Sequence, residues 1–219
     1  MKHVLLTTCM LGALAVAGSA AAQTASDAPV GKAAGTWMVR GRIIDVDPEN
    51  NGSSTSIGGR VSATNTATLE ADFSYFFTDH IAAELIAATT KHDITAKDTT
   101  HGDIKVGSTW VLPPTLLLQY HFMPKARFSP YIGAGLNATL FYSDAPARPV
   151  ITSMHLDNNI GEALQIGADY NVSGHWFLNA DVKQIFLPTK ASLTTVLGHV
   201  SAKTSLDPLV VGVGAGYRF

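Results

Sequence analysis

Charged and amide side chains recur at every second position of several short segments of this chain. Arg40 and Arg42 form one such pair, and Glu70 and Asp72 form another. Residues two apart lie on the same face of a β-strand, so the spacing predicts polar strips of mixed charge on the inner side of a sheet. The set predicted by this parity is Arg40, Arg42, Glu70, Asp72, Glu84, Gln119, His121, Gln165, Asp169, Asn179, Asp181, Lys183 and Arg218.

Two interpretations of these strips remain open. The opposite charges can pair with one another and plug the interior of a closed sheet, because a buried charge is tolerated when it is paired. Alternatively, a polar plug at one end diverts a molecule that enters from the other end sideways through the wall. The first interpretation gives the strips no contact with a substrate, whereas the second makes them part of a transport path.

Ser153, His155 and Asp157 are the residue types of a nucleophilic triad, and they fall in one predicted loop. A triad needs fixed hydrogen bonds between its members, which a flexible loop does not provide, so we predict that the protein is not an enzyme. His92 and His101 lie in another predicted loop without a metal-ligand spacing, and we interpret them as solvated polar residues. The sequence predicts neither a metal site nor a cofactor.

The composition excludes two further classes of function. The 219 residues carry a net charge of −2, which gives no single-sign field to attract a polyanion, so nucleic acid is not an expected partner. The single cysteine, Cys9, lies in a predicted leader. The mature chain is therefore predicted to have no disulfide and no cysteine-based redox or metal chemistry.

The leader, residues 1–22, is predicted to be a secretory signal peptide. Lys2 precedes an uncharged apolar run from Val4 to Ala17, and small residues follow up to Ala22. The apolar run is shorter than the roughly 17 to 25 residues that a spanning helix requires, and the small residues fit cleavage before Gln23. We predict one domain over residues 23–219, an outer-membrane β-barrel for the reasons given below.

Val106–Pro124 is the other stretch that could compete as a membrane-spanning helix, since it contains no Asp, Glu, Lys or Arg. Pro113 and Pro114 stand in its middle. Adjacent prolines remove backbone donors and disfavour helix in the residues before them, so we predict no transmembrane helix in this stretch.

Hydropathy alternates with period two along much of the chain, which is typical of strands with one apolar face. In the last segment Leu209, Val211 and Val213 share one face, whereas Gly212 and Gly214 share the other, where they make room in a narrow interior. Eight such segments predict an all-β fold, an eight-stranded antiparallel transmembrane β-barrel. They are Trp37–Val46, Leu69–Phe77, Ile81–Ile86, Thr115–Phe122, Tyr131–Phe141, Ala163–Tyr170, Trp176–Phe186 and Leu209–Phe219.

The connections distinguish this barrel from a soluble β-sandwich, which would also alternate. Three are short, namely Thr78–His80, Met123–Pro130 and Asn171–His175. The others are longer and polar, as expected of a barrel with short periplasmic turns and long extracellular loops: Asp47–Asn65, Lys91–His101, Ser143–Ile160 and Leu187–Leu206. The same strand directions predict an aromatic girdle at the periplasmic end, made of Trp37, Tyr75, Phe77, Tyr120, Phe122, Tyr131, Tyr170, Trp176, Tyr217 and Phe219.

In their order along the chain, several segments resemble the outer membrane protein W family and cover essentially the whole mature chain. The resemblance implies an apolar internal channel and passive uptake of small hydrophobic molecules across the bacterial outer membrane. It also implies an alternative role as a receptor or structural barrel whose long loops bind partners such as bacteriocins. The segments are Phe77–Ile81, Glu84–Thr89, Leu112–Leu116, Pro130–Asn137, Gly167–Tyr170 and Ala215–Phe219.

Tyr217 and the terminal Phe219 resemble the assembly signal of outer-membrane barrels. The resemblance predicts that the barrel assembly machinery and outer-membrane lipid are partners of this chain. Eight strands leave an interior only wide enough for side chains or one small ligand, so we expect selective passage and not bulk flow. The pattern selects neither a particular substrate nor an oligomeric state.

Four residues are predicted to line the channel. The family resemblance places an apolar gate at Ile86, whereas Lys183 stands where a relative can present an aromatic residue and makes the pocket more polar. Phe141 and Trp110 are candidates for an apolar mouth at the extracellular end, but the proline pair can shift the register at Trp110, for which an ordinary girdle position is the favoured interpretation.

Pro113 and Pro114 are the predicted lateral-gap residues. Neither proline can donate a hydrogen bond to a neighbouring strand, so the ladder beside them is expected to be interrupted, and a gap in the wall would offer a sideways exit. A bulge or bend without a transport role is the alternative.

Overall fold

The structure is a computed structural model that describes residues 31–49, 54–55, 59–195 and 198–219. The predicted signal peptide and its cleavage site lie outside the described residues. No helix in these ranges is long and apolar enough to cross a membrane. The described residues form fifteen strands: β1 Trp37–Asp47, β2 Ser54–Thr55, β3 Arg60–Ala63, β4 Thr66–Phe76, β5 Ile81–Ala88, β6 Thr90–Thr99, β7 Gly102–Leu112, β8 Thr115–His121, β9 Phe128–Pro146, β10 Ile151–Leu156, β11 Asn159–Ser173, β12 Trp176–Phe186, β13 Pro188–Thr195, β14 Gly198–Ser205 and β15 Leu209–Arg218.

Eight of these strands form the closed wall of a barrel, in the order β11-β12-β15-β1-β4-β5-β8-β9, and β9 pairs with β11 to complete the circle. All wall pairs are antiparallel, and the first and last strands meet in register, with Gly41 opposite Ala215. The wall strands coincide with the eight predicted segments. The predicted eight-stranded antiparallel barrel is confirmed.

The two faces of the wall differ in chemistry because side chains alternate along each strand. In β12 the polar residues Asn179, Asp181 and Lys183 are buried inside, whereas Leu178 and Val182 are exposed on the outside. Large apolar side chains cover the outer face of every wall strand, and Leu69 is 73% exposed there. In water such a surface would be costly, so the outer face is suited to the hydrocarbon of a bilayer.

Aromatic rings gather at the end of the barrel that carries the short turns, the periplasmic end in this class of protein. Trp37 packs on Tyr75 with ring centroids 4.8 Å apart, and Tyr217 packs on Phe219 at 5.0 Å. Tyr131 does not belong to this girdle, contrary to the prediction, because its side chain is fully buried inside the barrel. Gly167, directly opposite on β11, leaves the space that the Tyr131 ring fills.

The sequence predicts loops for the long connections, but in the structure they are largely strands. The predicted loop Lys91–His101 is mostly β6, which pairs with β7 above the wall, and β9 extends to Pro146 beside β7. Farther along, β10, β13, β14 and β2 form a second, four-stranded sheet. In β6, His92, Ile94 and Ala96 are buried and the residues between them are not. The period-two burial pattern therefore continues through a segment whose polar composition predicts a loop.

Candidate functional site

The interior of the barrel is layered, and β1 gives the order of the layers. Its inward residues are Met38 at the periplasmic end, then Arg40 and Arg42, then Ile44 toward the extracellular end. Each of these residues is at most 3% exposed. The candidate site is therefore a polar layer with apolar side chains on both sides of it, and the layers are described in turn.

The polar layer is centred on two arginines of β1. Arg40 Nη1 donates to Asp72 Oδ1 at 2.8 Å and to Glu84 Oε1 at 2.9 Å. Arg42 lies within 2.9 Å of Glu70 and Asp72 through Nη2 and within 2.8 Å of Asp181 through Nη1. Arg40 Nη2 also lies 3.3 Å from Asp169 of β11, so four strands, β4, β5, β11 and β12, supply the carboxylates around these two guanidinium groups.

Amide side chains join the ion pairs into one network. Gln119 Nε2 donates to Glu84 Oε2 at 2.8 Å and to Gln165 Oε1 at 2.7 Å, and Gln165 Nε2 donates to Asp181 Oδ2 at 2.7 Å. Lys183 closes the network by donating to Glu70 at 2.8 Å and to Asp181 at 3.1 Å. The network therefore spans the lumen from β8 through β11 to β12, and its side chains are at most 5% exposed.

The charge of the polar layer is balanced. Among the described residues, the buried charged side chains comprise five cations and five carboxylates. All five carboxylates and every one of these cations except Arg218 lie in ion pairs, which offsets the large cost of burying a charge in a low-dielectric interior. The cations are Lys32, Arg40, Arg42, Lys183 and Arg218, and the carboxylates are Glu70, Asp72, Glu84, Asp169 and Asp181.

All the inward polar residues expected from parity are buried inside the barrel, including Asn179, His121 and Arg218. Asn179 Nδ2 donates to Asp169 Oδ1 at 2.8 Å. Arg218 packs its guanidinium carbon 5.3 Å from the ring centroid of Phe177 and makes no ion pair with the described residues. Its position at the end of β15 puts it at the periplasmic edge of the polar layer.

The inward glycines of β15 give room to the polar layer and not to an open channel. A methyl group at Gly212 would lie 2.6 Å from Asp181 Oδ1, and one at Gly214 would lie 2.8 Å from Arg42 Cγ. At Gly216 it would overlap the ring of Phe177. The space beside β15 is therefore occupied by the neighbouring side chains.

Lys32 is a buried residue of the lumen that strand parity does not identify. It precedes β1 in a segment, residues 31–36, that passes across the periplasmic opening, where Lys32 N donates to Pro124 O at 2.9 Å and Gly35 N donates to Phe76 O at 2.8 Å. The Lys32 side chain is 0% exposed because it points up into the barrel. A lone lysine among small residues outside any strand carries no sequence signal for such a position.

The Lys32 ammonium uses all three of its N–H groups. It donates to Asp169 Oδ2 at 2.7 Å, to Ser129 Oγ at 2.8 Å and to His121 Nδ1 at 2.8 Å. His121 must accept at Nδ1 and therefore carries its proton on Nε2, which lies 3.1 Å from Gln119 Oε1. Burial lowers the pKa of Lys32 from 10.5 to about 8, and the nearby Asp169 carboxylate opposes that shift.

The apolar layer lies on the extracellular side of the polar layer. Ile86, predicted to line the channel, is 2% exposed and packs here with Ile44, Leu117 and Ile185. Lys183, predicted for the same set, faces the lumen between the two layers and is held by the ion pairs already described. We define the apolar layer as Ile44, Ile86, Leu117, Ala163, Ile185, Leu187 and Val210.

Above the apolar layer, the extended strands enclose a second apolar cluster, the mouth. Phe141 of β9 is half-buried and packs against this cluster. Trp110 takes the girdle position and does not line the mouth, because it lies opposite Tyr142 on the outer face, with ring centroids 6.3 Å apart, and is 37% exposed. The mouth comprises Val61, Ile94, Ala96, Val106, Met154 and Leu156, with Ile104 and Phe141 against them.

Pro113 and Pro114 join β7 to β8, and the wall is continuous on one side of them only. On the β9 side, Leu112 pairs with Leu140, and Ala138 N donates to Pro114 O at 2.9 Å. On the other side the ladder pairs Ile86 with Thr115 and resumes at Thr90 with Val111. Residues 87–89 and 112–114 form no ladder pairs with each other, so the wall has an interruption there.

The register is the same on both sides of this interruption, because three residues separate the last and first pairs on each strand. A bulge would insert an extra residue in one strand and shift the register. The interruption beside Pro113 and Pro114 therefore consists of missing hydrogen bonds and contains no bulge. Ala88, at its edge, packs against the apolar layer.

The outer surface beside the interruption is concave. A groove of about 1100 Å³ runs over the membrane-facing wall from Leu112 and Ala87 past Leu69 and Ile43 to Val213. The outward-facing residues along the groove are small or apolar. At its middle, Gly41 lies between Ala71 and Ala215 on the neighbouring strands. The interruption thus separates the apolar layer inside from an apolar groove outside.

The other candidate sites do not assemble. His155 and Asp157 lie on the exterior, with His155 Nε2 3.5 Å from Asp157 Oδ1, and Ser153 is exposed and makes no hydrogen bond to either side chain within the described part of the chain. His92 is not solvated, contrary to the prediction, because it is 7% exposed and its Nδ1 lies 2.7 Å from Thr64 O. His101 is exposed near the β6–β7 turn.

An apolar outer belt, a buried layer of paired charges in the interior and a girdle of aromatic rings define a β-barrel of the bacterial outer membrane. The OmpW family model matches residues 33–219. The chain belongs to the OmpW family, and its location is the outer membrane.

Two relatives and one solved structure illustrate this membership. An uncharacterized outer-membrane protein of Sinorhizobium fredii, y4mB, is 43% identical over 97% of this chain and 95% of its own length. The dibenzothiophene metabolism operon protein PahQ of Pseudomonas aeruginosa is 31% identical over 74% of this chain and 76% of its own. The crystal structure of OprG from P. aeruginosa, 32% identical, superposes with a TM-score of 0.79 over 86% of this chain and 98% of that one.

Proposed function

We propose that this protein is a passive channel for small hydrophobic molecules, which enter from outside and leave sideways into the bilayer beside Pro113 and Pro114. The observation that carries the proposal is the position of the wall interruption. The interruption lies at the level of the apolar layer, since Ile86 forms the last ladder pair before it and Ala88, within it, packs against that layer. On the lipid side the interruption faces an apolar groove.

The direction of the route follows from the layers. A hydrophobic molecule can exchange one apolar environment for another as it moves from the mouth to the apolar layer, so these steps need little desolvation of polar groups. The next step toward the periplasm would separate pairs such as Arg40 with Glu84 and Arg42 with Asp181. Breaking a buried pair costs roughly 3 to 5 kcal/mol. The sideways step breaks no ion pair.

Lys32 supports the same route from the other end. Its segment covers the periplasmic opening, and its ammonium is bound by three partners inside the barrel. A solute that passed straight through would have to displace both Lys32 and the polar layer. The resemblance to a family associated with uptake of hydrophobic molecules, and a relative named for dibenzothiophene metabolism, agree with an apolar substrate.

The size of the substrate is limited by the side chains of the apolar layer. Leu117 is 1% exposed and Ile86 is 2% exposed, so the layer is filled by its own residues. Passage therefore requires rotamer changes of these side chains. A narrow layer of this kind suits small molecules and excludes bulk flow.

A transport assay with matched substrates tests the proposal. Pro113 and Pro114 are replaced together by Thr or Val in a porin-defective host, and uptake of a small aromatic hydrocarbon is compared with uptake of a sugar of similar size. We expect slower hydrocarbon uptake by the folded variant, because the new N–H groups can restore the ladder. Unchanged hydrocarbon uptake in a variant with the normal amount of folded barrel would refute the sideways route.

A receptor role is the second candidate, favoured by the four-stranded sheet of β10, β13, β14 and β2, which lies outside the wall. The strands of this sheet offer backbone groups to a protein partner such as a bacteriocin. Deletion of residues 188–205 tests this role. Loss of bacteriocin sensitivity with unchanged hydrocarbon uptake would favour the receptor, and the opposite result would favour the channel.

We also propose that Phe219 and Tyr217 are read by the barrel assembly machinery after removal of residues 1–22. Phe219 is 68% exposed and its backbone N donates to Trp37 O at 2.9 Å, so its side chain is free for recognition while its backbone closes the barrel. Replacement of Phe219 by Ser is expected to reduce the amount of barrel in the outer membrane. Normal amounts would contradict the assignment.

A further inference from the structure

The Pro113 carbonyl is turned into the lumen. It accepts hydrogen bonds from Thr115 Oγ1 at 3.0 Å and from Asn137 Nδ2 at 3.2 Å. Both donors are inward-facing side chains, and Asn137 is 0% exposed. These are side-chain bonds, whereas the carbonyl of Pro114, the next residue, accepts a backbone bond from Ala138 of β9.

Regular pairing would direct the Pro113 carbonyl elsewhere. In an antiparallel sheet, successive residues direct their N–H and C=O groups to opposite neighbours. The Pro114 carbonyl points to β9, so regular pairing would point the Pro113 carbonyl to the strand on the other side, β5. The register set by Ile86 and Thr115 puts Ala88 opposite Pro113. Proline lacks a donor, but its carbonyl could still accept from the Ala88 amide. The prolines alone therefore do not account for the whole interruption.

The Asn137 amide is held in the orientation that binds Pro113. Thr139 Oγ1 donates to Asn137 Oδ1, which leaves Nδ2 as the donor to both Pro113 O and Thr115 Oγ1, the latter at 2.8 Å. Thr115, Asn137 and Thr139 are each at most 3% exposed. A buried polar cluster next to the apolar layer is costly unless its groups are bonded, and the Pro113 carbonyl satisfies one of its donors.

We infer that Asn137 is a positioning residue that keeps the wall open at the prolines by holding the Pro113 carbonyl away from the Ala88 amide. The inference rests on the proposed sideways route and explains how the interruption is maintained. It assigns the cluster of Asn137, Thr115 and Thr139 a role in the geometry of the exit, and no contact with the substrate is required.

Amide hydrogen exchange at Ala88 tests the inference without any transport measurement. Asn137→Leu removes the donor and keeps the volume similar, so the Pro113 carbonyl can turn to Ala88. We expect exchange of the Ala88 amide to slow by about fivefold or more in the refolded barrel, the effect of one additional hydrogen bond. Thr139→Val, which leaves Asn137 in place without its orienting partner, should give a smaller effect in the same direction. Asn171→Leu is the matched control, because Asn171 is equally buried but binds Gly174 O at the periplasmic end.

The two possible failures are distinguishable. If Ala88 exchange is unchanged or faster in both folded Asn137→Leu and Thr139→Val, the inference is wrong, whatever happens to uptake. If Ala88 becomes protected and hydrocarbon uptake falls with it, both the inference and the sideways route are supported. If Ala88 becomes protected while uptake stays the same, Asn137 controls the ladder as inferred, but the route itself is overturned.

Discussion

Lys32 and Asp169 form an ion pair of 2.7 Å inside the barrel, although 137 positions separate them in the sequence. Lys32 comes from the segment that precedes the first wall strand, and Asp169 comes from β11, near the opposite side of the wall order. The pair therefore ties the N-terminal segment to the wall across the periplasmic opening. Both side chains are at most 1% exposed, so water screens the pair little.

Replacement of Lys32 by Met is expected to destabilise the barrel by about 2 kcal/mol, less than the loss of a whole buried pair, because Arg40 remains 3.3 Å from Asp169. Urea unfolding in detergent or lipid, followed by tryptophan fluorescence, measures the change. Lys125→Met is the control, since the Lys125 pair with Asp79 is exposed and should contribute less than about 1 kcal/mol. Equal effects of the two substitutions would contradict the buried role of Lys32.

The stability of the barrel should depend on pH through Lys32. Its pKa is lowered to about 8 in the folded barrel, with burial as the main cause, and is near 10.5 in the unfolded chain. Between these values the unfolded chain binds one proton more than the folded barrel, so the free energy of unfolding rises with pH in this window. The wild type should therefore gain stability relative to Lys32→Met between about pH 8 and pH 10.5. A constant or falling difference would show that the pKa of Lys32 is not lowered.

Ile86 offers a test of the apolar layer. Asparagine in its place would put an amide among Leu117, Ile44 and Ile185, where a hydrophobic molecule has to pass. We expect hydrocarbon uptake to fall about tenfold or more, because an unsatisfied buried amide costs roughly 1 to 3 kcal/mol and attracts water into the layer. Ile86→Val preserves the apolar surface and should keep uptake within about twofold of the wild type. Equal uptake by the two variants would exclude the apolar layer as part of the path.

The period-two pattern predicted the wall because each wall strand has lipid on one side and the polar layer on the other. That environment imposes alternation on every residue, as in β12, where Asn179 and Asp181 point inward and Leu178 points outward. Outside the membrane this contrast weakens. The sequence therefore predicts polar loops where the structure has β6, which continues above the wall, and β10, β13 and β14, which belong to the second sheet.

The inward positions of Tyr131 and Lys32 have different physical origins. Tyr131 was assigned to the girdle by residue type, although Ile132, Leu136 and Leu140 define the outward face of β9 and put Tyr131 and Asn137 on the inner face. Parity therefore contained the correct orientation, and an aromatic preference overrode it. Lys32 differs, because its burial depends on the path of residues 31–36 across the opening, and no local pattern specifies that path.

Two adjacent residues of β10, one in the mouth and one on the outer face, test whether the mouth is the entrance for hydrophobic molecules. Met154 of β10 is 6% exposed and packs in the mouth, whereas its neighbour His155 points outward with its side chain 72% exposed. Met154→Lys places a charge in the entrance, and desolvation of that charge should oppose the entry of a hydrophobic molecule. We expect slower hydrocarbon uptake without loss of wall stability, because β10 pairs with β13 outside the wall.

His155→Lys adds a lysine one position away on the outer face and should leave uptake unchanged. If both lysines slow uptake equally, a general effect of surface charge explains the result, and the mouth is not the entrance. If Met154→Lys alone slows it, the hydrophobic path begins at β10.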